Sequence, residues 1–453
     1  MQRMIPVPDG PATNLDDLYI TLRPEPLETA EELMKFYRPE VTALRGEDTV
    51  KVLSRKLRQA FGAVEFKAFL MGHPGVGKST ELSRLVERVR DQHTAVKLSI
   101  ATELNPASFK VFDVLLLMLI RLAEEADRLA LIPPEDLVPE IAQWVTPPQI
   151  KETDTHVKEA GAGAKLSALF VSGKGEMRYS AERKQETIQY RLQRLPDLVN
   201  ACNRLIDRCN LALRADTGKE WLLVVEDLDK TVISPQLLRE LFIEYGSVFQ
   251  GLRVKLIFTI PVWLACSPEA NQLPRFEKHM INDTPVFRKN HDPHPEGRAA
   301  IQAVLEARAS THLFAEGQMT RLIESSGGNL RDLFTLVTDA GDKASLRDPP
   351  EKIIGPDDAT AAINKMRREY RNRLGVSPYD ANQIPYSDKL TRLLAVYWDE
   401  PDNQIPDAIL HSLFRGRAVQ QFNGSGWLGV HPLVVDILKA DQHLKPQDPG
   451  GTS

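Results

Sequence analysis

Two short stretches combine residue types and spacings that can do chemistry. The first is Gly72-His73-Pro74-Gly75-Val76-Gly77-Lys78-Ser79, followed by Thr80. It fits the phosphate-binding pattern G-x-x-x-x-G-K-[ST]. Glycines at 72, 75 and 77 let the backbone fold back on itself, so that successive N–H groups and the next helix N-terminus face one anion. Lys78 adds a point charge suited to β- and γ-phosphates, and the Ser79 hydroxyl is a hard oxygen suited to Mg²⁺. The second stretch is WLLVVEDLDK, Trp221 to Lys230. Five apolar residues predict a strand buried on both faces, whose end presents Glu226, Asp227 and, after Leu228, Asp229. Carboxylates there, beside a phosphate loop, are placed to handle Mg²⁺ and an attacking water. The chemistry expected is binding of a nucleoside triphosphate, with residues 72–80 as its cradle.

Further candidates follow from position. Thr259, near the end of the apolar run Val254 to Ile260, is placed to hydrogen-bond the water or the γ-phosphate. In Ser326-Gly327-Gly328-Asn329-Leu330-Arg331-Asp332-Leu333 the glycines stop one helix and Asn329 caps the next. Arg331 then falls in a first helical turn, from which it can reach a γ-phosphate. His291 and His294 lack clustered partner ligands and read as surface histidines. Cys202, Cys209 and Cys266, with no C-x-x-C pair, read as ordinary core or surface residues.

The elements that must position these groups are legible in outline. Phe66 to Met71 predicts a strand entering the glycine loop. Leu82, Leu85, Val86 and Val89 recur at helical spacing after it. Asp48 is placed to cap a helix from Thr49 to Phe61. A second strand is expected at Ala95 to Ile100, a fourth at Val254 to Ile260 and a fifth at Thr284 to Phe287. Between the second strand and Trp221, residues 101–219 read as an insertion. It holds an apolar helix (Pro106 to Leu131), a weak hairpin (Ala164 to Ser180) and a returning helical pattern (Glu182 to Leu213). Its basic cluster of Lys174, Arg178, Arg183, Lys184, Arg191 and Arg194 is explained more readily by a solvated helix face than by a nucleic-acid surface.

The 453 residues allow several domains. The expected division is a lead-in at 1–34, a core at 35–293, a helical lid at 294–375, a small unit of helices plus a hairpin at 376–445, and a disordered tail at 446–453. In that unit the hairpin pairs Ala418 to Phe422 with Trp427 to Val430 around Asn423-Gly424-Ser425-Gly426. A net charge of -5 gives no global push toward nucleic acid or anionic membrane. The longest apolar run, Val111 to Ile120, is too short to span a bilayer, and no signal-peptide pattern opens the chain. A cytoplasmic location is expected.

On these residues the chain resembles AAA+ P-loop ATPases of the origin-recognition and STAND-like branch. GHPGVGKS resembles Walker A, VVEDLD Walker B, Thr259 sensor 1 and GGNLRDL sensor 2, over roughly residues 36–440 without the insertion. It most resembles uncharacterised bacterial ATPases linked to signalling or phage defence. The resemblance implies an α/β three-layer core with a parallel five-stranded sheet, a long mostly helical insertion, a helical lid and a C-terminal winged helix. It implies ATP and Mg²⁺ as ligands. Lys78, Glu226, Asp227, Thr259 and Arg331 become the catalytic set, and Ser79, Glu226 and Asp227 the metal set. It places the base against Tyr37 to Gly46 and offers Arg275 as an arginine finger for a neighbouring copy. Here Glu precedes Asp where the family has Asp then Glu, so Glu226 is expected at the metal and Asp227 at the water. The function implied is a nucleotide-dependent conformational or assembly switch that self-associates or engages a partner protein. The alternatives are a DNA-binding ATPase using the winged helix and insertion, and a scaffold that binds nucleotide with negligible hydrolysis. Against DNA stands a hairpin without Lys or Arg, preceded only by Arg415 and Arg417.

Overall fold

The computed structural model describes residues 8–62, 65–131, 139, 141, 144, 188–380, 383–423 and 426–444. The expected hairpin at Ala164 to Ser180, the basic residues Lys174, Arg178, Arg183 and Lys184, and the tail at 446–453 lie outside the described residues.

Five strands form one all-parallel sheet: β1 (Lys67–Met71), β2 (His93–Ser99), β3 (Glu220–Glu226), β4 (Lys255–Ile260) and β5 (Glu277–Met280), in the order β2-β3-β4-β1-β5. Each central strand buries alternate residues in two different cores, as the period of two requires. Ala68, Leu70, Leu222, Val224 and Ile257 meet helices α1 (Thr49–Gln59) and α2 (Lys78–Val89). Phe69, Met71, Leu223, Val225, Leu256 and Phe258 face the other side, with α3 (Val111–Arg128) and α4 (Leu195–Thr217). The result is a three-layer α/β fold. On this second side Phe69, Phe242, Phe249 and Phe258 are fully buried, and Phe242 stands edge-on to Phe69 and Phe258 at 5.2 Å. Each such ring contributes roughly 2 kcal/mol by burial alone.

Helix α2 follows from its sequence. Leu82, Leu85 and Val89 fall on one face and are buried against the sheet, and Glu81 lies in the first turn, where the helix dipole favours an acid. Asp48 caps α1 by accepting from the Lys51 N–H, as expected. Cys202 and Cys209 are buried core residues, and burial pushes the Cys209 thiol up to about 12.

Three boundaries differ from expectation. The fifth strand is Glu277–Met280, not Thr284 to Phe287. The true strand is a polar sheet edge, half-buried at most, so no apolar run announces it. Thr284 to Phe287 is apolar and buried, but it pairs locally: the Val286 carbonyl accepts from the His294 N–H and from Arg298. The second strand starts at His93 and ends at Ser99, where the side chain of Ser99 caps a short helix beginning at Ile100. The apolar helix begins at Val111 rather than Pro106, because residues 105–110 form a turn closed by N–H groups of Ser108 and Phe109 on Asn105.

After the sheet come four helices, α5 (Pro295–Glu306), α6 (Gln318–Ser325), α7 (Leu330–Ser345) and α8 (Pro356–Arg373), then α9 (Tyr386–Tyr397), α10 (Ala408–Arg415), an antiparallel hairpin β6–β7 (Val419–Gln421, Leu428–Val430) and α11 (Pro432–Ala440). The beginning of the chain drapes over this region: Ala12 bridges to Ala309, and Leu18 packs on Gly341. The hairpin unit is docked back on the core. The Asp283 N–H donates to the Gln421 carbonyl, and Gln420 donates to the Gly327 carbonyl.

Candidate functional site

The strands are in register, so their C-terminal ends form one rim. Met71 is level with Ile260, Leu70 with Thr259, and Ser99 with Glu226. The glycine loop leaves β1 at this rim, and a cleft of about 1340 Å³ opens above it. Residues 74–81, Lys97, Ser99, Glu226, Asp227, Asp229 and Arg331 line it. A crevice outside the carboxyl ends of parallel strands is where such folds take ligands.

The loop is held as a cradle. Gly75 and Gly77 have φ of 94° and 98°, a region in which a side chain is strained. A Cβ on Gly75 would lie 2.3 Å from Asn329 Oδ1. His73 is buried and shares a 2.6 Å hydrogen bond through Nδ1 with Asp283. Burial works to raise the Asp283 carboxyl, but His73 and Arg45 outweigh it and hold the group below its ordinary value. Val76 is fully buried, and the Thr80 hydroxyl accepts from the Leu27 N–H at 3.2 Å.

The two chemical stretches converge. Ser79 and Glu226 line the same cleft, and Lys97 stands 3.4 Å from the Glu226 carboxylate. Burial raises the Glu226 carboxyl above its ordinary value against the pull of Lys97. Asp227 points differently. Its φ of 71° turns the chain as β3 ends, and its carboxylate accepts from Ser99 and pairs with Lys230 at 3.0 Å. Lys78 touches neither acid. It donates to the Gly72 and His73 carbonyls and pairs with Asp229 at 2.8 Å.

The helices after the sheet close over the loop. Asn329 caps α7 by accepting from the Asp332 N–H, as expected, and its amide also donates to the Pro74 carbonyl at 3.0 Å. Arg331, in the first turn, lines the cleft, and its guanidinium makes no hydrogen bond among the described residues. The cleft walls and the neighbouring Arg417 lower its pKa from the ordinary arginine value. Thr259 is buried one strand from Glu226, and its hydroxyl has no hydrogen-bond partner among the described residues. Arg275 is not brought to this rim: it is exposed just before β5, at the opposite end of the sheet.

Tyr37 and Arg45, from the segment expected to face a base, line the other end of the cleft with Phe36, Val41, Val304 and Phe334. Arg308 lies between the Phe36 and Phe334 rings at 5.1 Å from each, and burial lowers it to about 10. Tyr37 donates to Glu81, and burial with that acid nearby pushes the phenol up to about 12.

Arg415 and Arg417, considered above as charges for DNA, are engaged inside the molecule. Arg417 pairs with Asp332 at 2.9 Å, and Arg415 stacks on Tyr379 at 4.1 Å. Lys97, Ser99 and Arg417 are the site residues that pattern reading did not bring to the cleft. Asp229, legible as the third acid of EDLD, takes Lys78 rather than a place in the expected metal set. His294 caps α5, His291 stacks on Tyr397, and among the described residues no group of three His, Cys, Asp or Glu is arranged to hold a metal. The donor set still suits Mg²⁺, which takes one or two protein oxygens and completes its shell with water and phosphate. Ser79 and Glu226 supply two such oxygens.

No protein-family model and no curated protein matches the chain. Among solved structures, it is similar to the Walker-type ATPase PABY2304 of Pyrococcus abyssi, at 12% identity over 92% of this chain and 99% of that chain, with a TM-score of 0.36. The Holliday junction branch migration motor RuvB of Thermotoga maritima is matched at 9% identity over 94% and 100%, with a TM-score of 0.35. The AAA domain of FIGL-1 is matched at 13% over 71% and 81%, with a TM-score of 0.30. The chain has a three-layer α/β fold with an all-parallel sheet and a glycine-rich loop at its carboxyl rim. No helix among the described residues is long and apolar enough to cross a membrane.

Proposed function

We propose that the chain is a Mg²⁺-dependent, ATP-binding and ATP-hydrolysing protein of the AAA+ and STAND-like type, working as a nucleotide-dependent conformational or assembly switch. One observation carries the reading: the 2.8 Å ion pair between Lys78 and Asp229 joins the phosphate loop to the acid-tipped strand, and Ser79 and Glu226 line the same cleft beside it, so both stretches meet there. The backbone of residues 72–79 cradles the phosphates, and Lys78 supplies the cation to their β and γ ends. Ser79 and Glu226 hold Mg²⁺, which when bound neutralises phosphate charge. Asp227, kept apart by Ser99, orients the attacking water as general base. Thr259 offers the terminal phosphate or the water its unpartnered hydroxyl, and Arg331 closes on the γ-phosphate from α7. The base lies among Phe36, Tyr37, Val41 and Phe334.

The switch reading rests on the link between loop and lid. Asn329 and Arg417 both reach the Pro74 carbonyl, at 3.0 Å and 3.5 Å, so a change at the phosphates is felt in α7 and in the hairpin unit, which we read as a winged helix. Arg275, exposed at the far end of the sheet, is positioned to serve a neighbouring copy on assembly. A role in signalling or phage defence fits such a switch.

The test is turnover. Purified protein with Mg²⁺ should release phosphate from ATP. Lys78→Ala and Asp227→Asn should abolish release, and Glu226→Gln should abolish its Mg²⁺ dependence. Binding without release in the unaltered protein would instead make it a nucleotide-stabilised scaffold.

A further inference from the structure

The acids at the end of β3 divide their partners in a way that pattern reading does not assign. Glu226 goes to Lys97, and Asp227 to Ser99 and Lys230. Asp229 alone takes the loop lysine, at 2.8 Å, and both side chains are nearly enclosed, Lys78 at 5% and Asp229 at 10% exposure. An ammonium has three donors. Two of those of Lys78 go to the Gly72 and His73 carbonyls, and its charge is paired with Asp229. To bring its charge onto a phosphate, Lys78 must loosen one of these contacts. The two carbonyls belong to the loop backbone itself, so the side-chain carboxylate is the acceptor that can leave.

We propose that Asp229 is a positioning residue for phosphate entry, a stand-in anion that holds Lys78 in the loop and yields it to the incoming phosphate. The inference rests on the nucleotide reading and names the residue that sets its affinity. A buried carboxylate cannot simply be abandoned, because leaving it unpaired is costly. Arg331 gives it somewhere to go. That guanidinium lines the same cleft, has no hydrogen bond among the described residues, and already feels the charge of Asp229. Phosphate capture by Lys78 therefore releases an anion toward the first turn of α7. The exchange opposes phosphate binding by the strength of the pair it breaks, and it couples the loop to the lid.

The test compares affinities by calorimetry for the full chain, using ADP with Mg²⁺ and, separately, inorganic pyrophosphate. Asp229→Asn keeps the shape and removes the competing charge, so both ligands should bind about tenfold tighter, a change of about 1.4 kcal/mol. Glu351→Gln removes an exposed charge that does not line the cleft and should shift neither by more than about twofold. In turnover, Asp229→Asn should lower KM without raising kcat, a split that mere loss of packing does not produce. Unchanged or weaker binding in Asp229→Asn, with the unaltered protein binding normally, overturns the proposal alone. No binding in either protein removes the nucleotide reading and this one together. Should Asp229→Asn not fold, Asp229→Ser carries the same prediction.

Discussion

Gly75 and Gly77 form a matched pair for testing how the lid is fastened to the phosphate loop. Both lie at positive φ, 94° and 98°. Alanine at either position therefore meets the same backbone penalty, roughly 1–2 kcal/mol. Their surroundings differ. A Cβ on Gly77 meets nothing within 4 Å, whereas one on Gly75 lies 2.3 Å from Asn329 Oδ1 and 2.7 Å from Arg331 Cβ. Asn329 must then withdraw and lose two interactions: its amide bond to the Pro74 carbonyl and its cap on the Asp332 N–H. A lost cap costs about 1 kcal/mol, and a lost buried hydrogen bond about the same. Gly75→Ala should therefore weaken the start of α7 by about 2 kcal/mol more than Gly77→Ala does. Amide hydrogen exchange in nucleotide-free protein reads this directly. Residues 330–334 should exchange about 30-fold faster in Gly75→Ala and remain protected in Gly77→Ala. Equal exchange in the two variants would refute the claim that this contact holds the lid on the loop.

Stability should fall on acidification. Burial keeps His411 and His431 neutral, with pKa values of about 4 against an ordinary 6.5. Above pH 6.5 neither state binds the proton; between 6.5 and 4 only the unfolded chain does, so each histidine removes up to about 2 kcal/mol by pH 5. Urea denaturation at pH 7.5 and 5.0 checks this, and a flat profile contradicts it. Arg417→Ala leaves Asp332 buried without its ion-pair partner, a loss of about 3 kcal/mol. The hairpin unit should loosen, which limited proteolysis within residues 375–385 would detect; an unaltered cleavage rate would contradict it. Glu226→Gln should retain nucleotide but lose the extra affinity that Mg²⁺ confers, measurable as equal ATP affinity with and without the ion.

What was legible in the sequence was what short spacing encodes. The phosphate loop, the acid-tipped strand and the Asn329 cap each depend on residues within a few positions of one another, and each stands where its pattern placed it. Period-two burial made β3 and β4 readable, because both faces of those strands are apolar. β5 was hidden by the same logic: an edge strand is wetted, and EKHM has no apolar signature. Long-range pairings left no trace. His73 meets Asp283 across 210 positions, and Arg417 leaves its helix end at a positive φ to reach Asp332. Spacing put Glu226, Asp227 and Asp229 together, but which cation each one takes depends on how the chain turns at Asp227, whose φ of 71° no pattern announces.

The most direct measurement is titration of the full chain with ATP and Mg²⁺ in a calorimeter, beside Lys78→Ala. The account predicts saturable uptake of one nucleotide per chain, abolished by the substitution while the fold survives. Heat indistinguishable from dilution in the unaltered protein, or equal uptake by both, would contradict it.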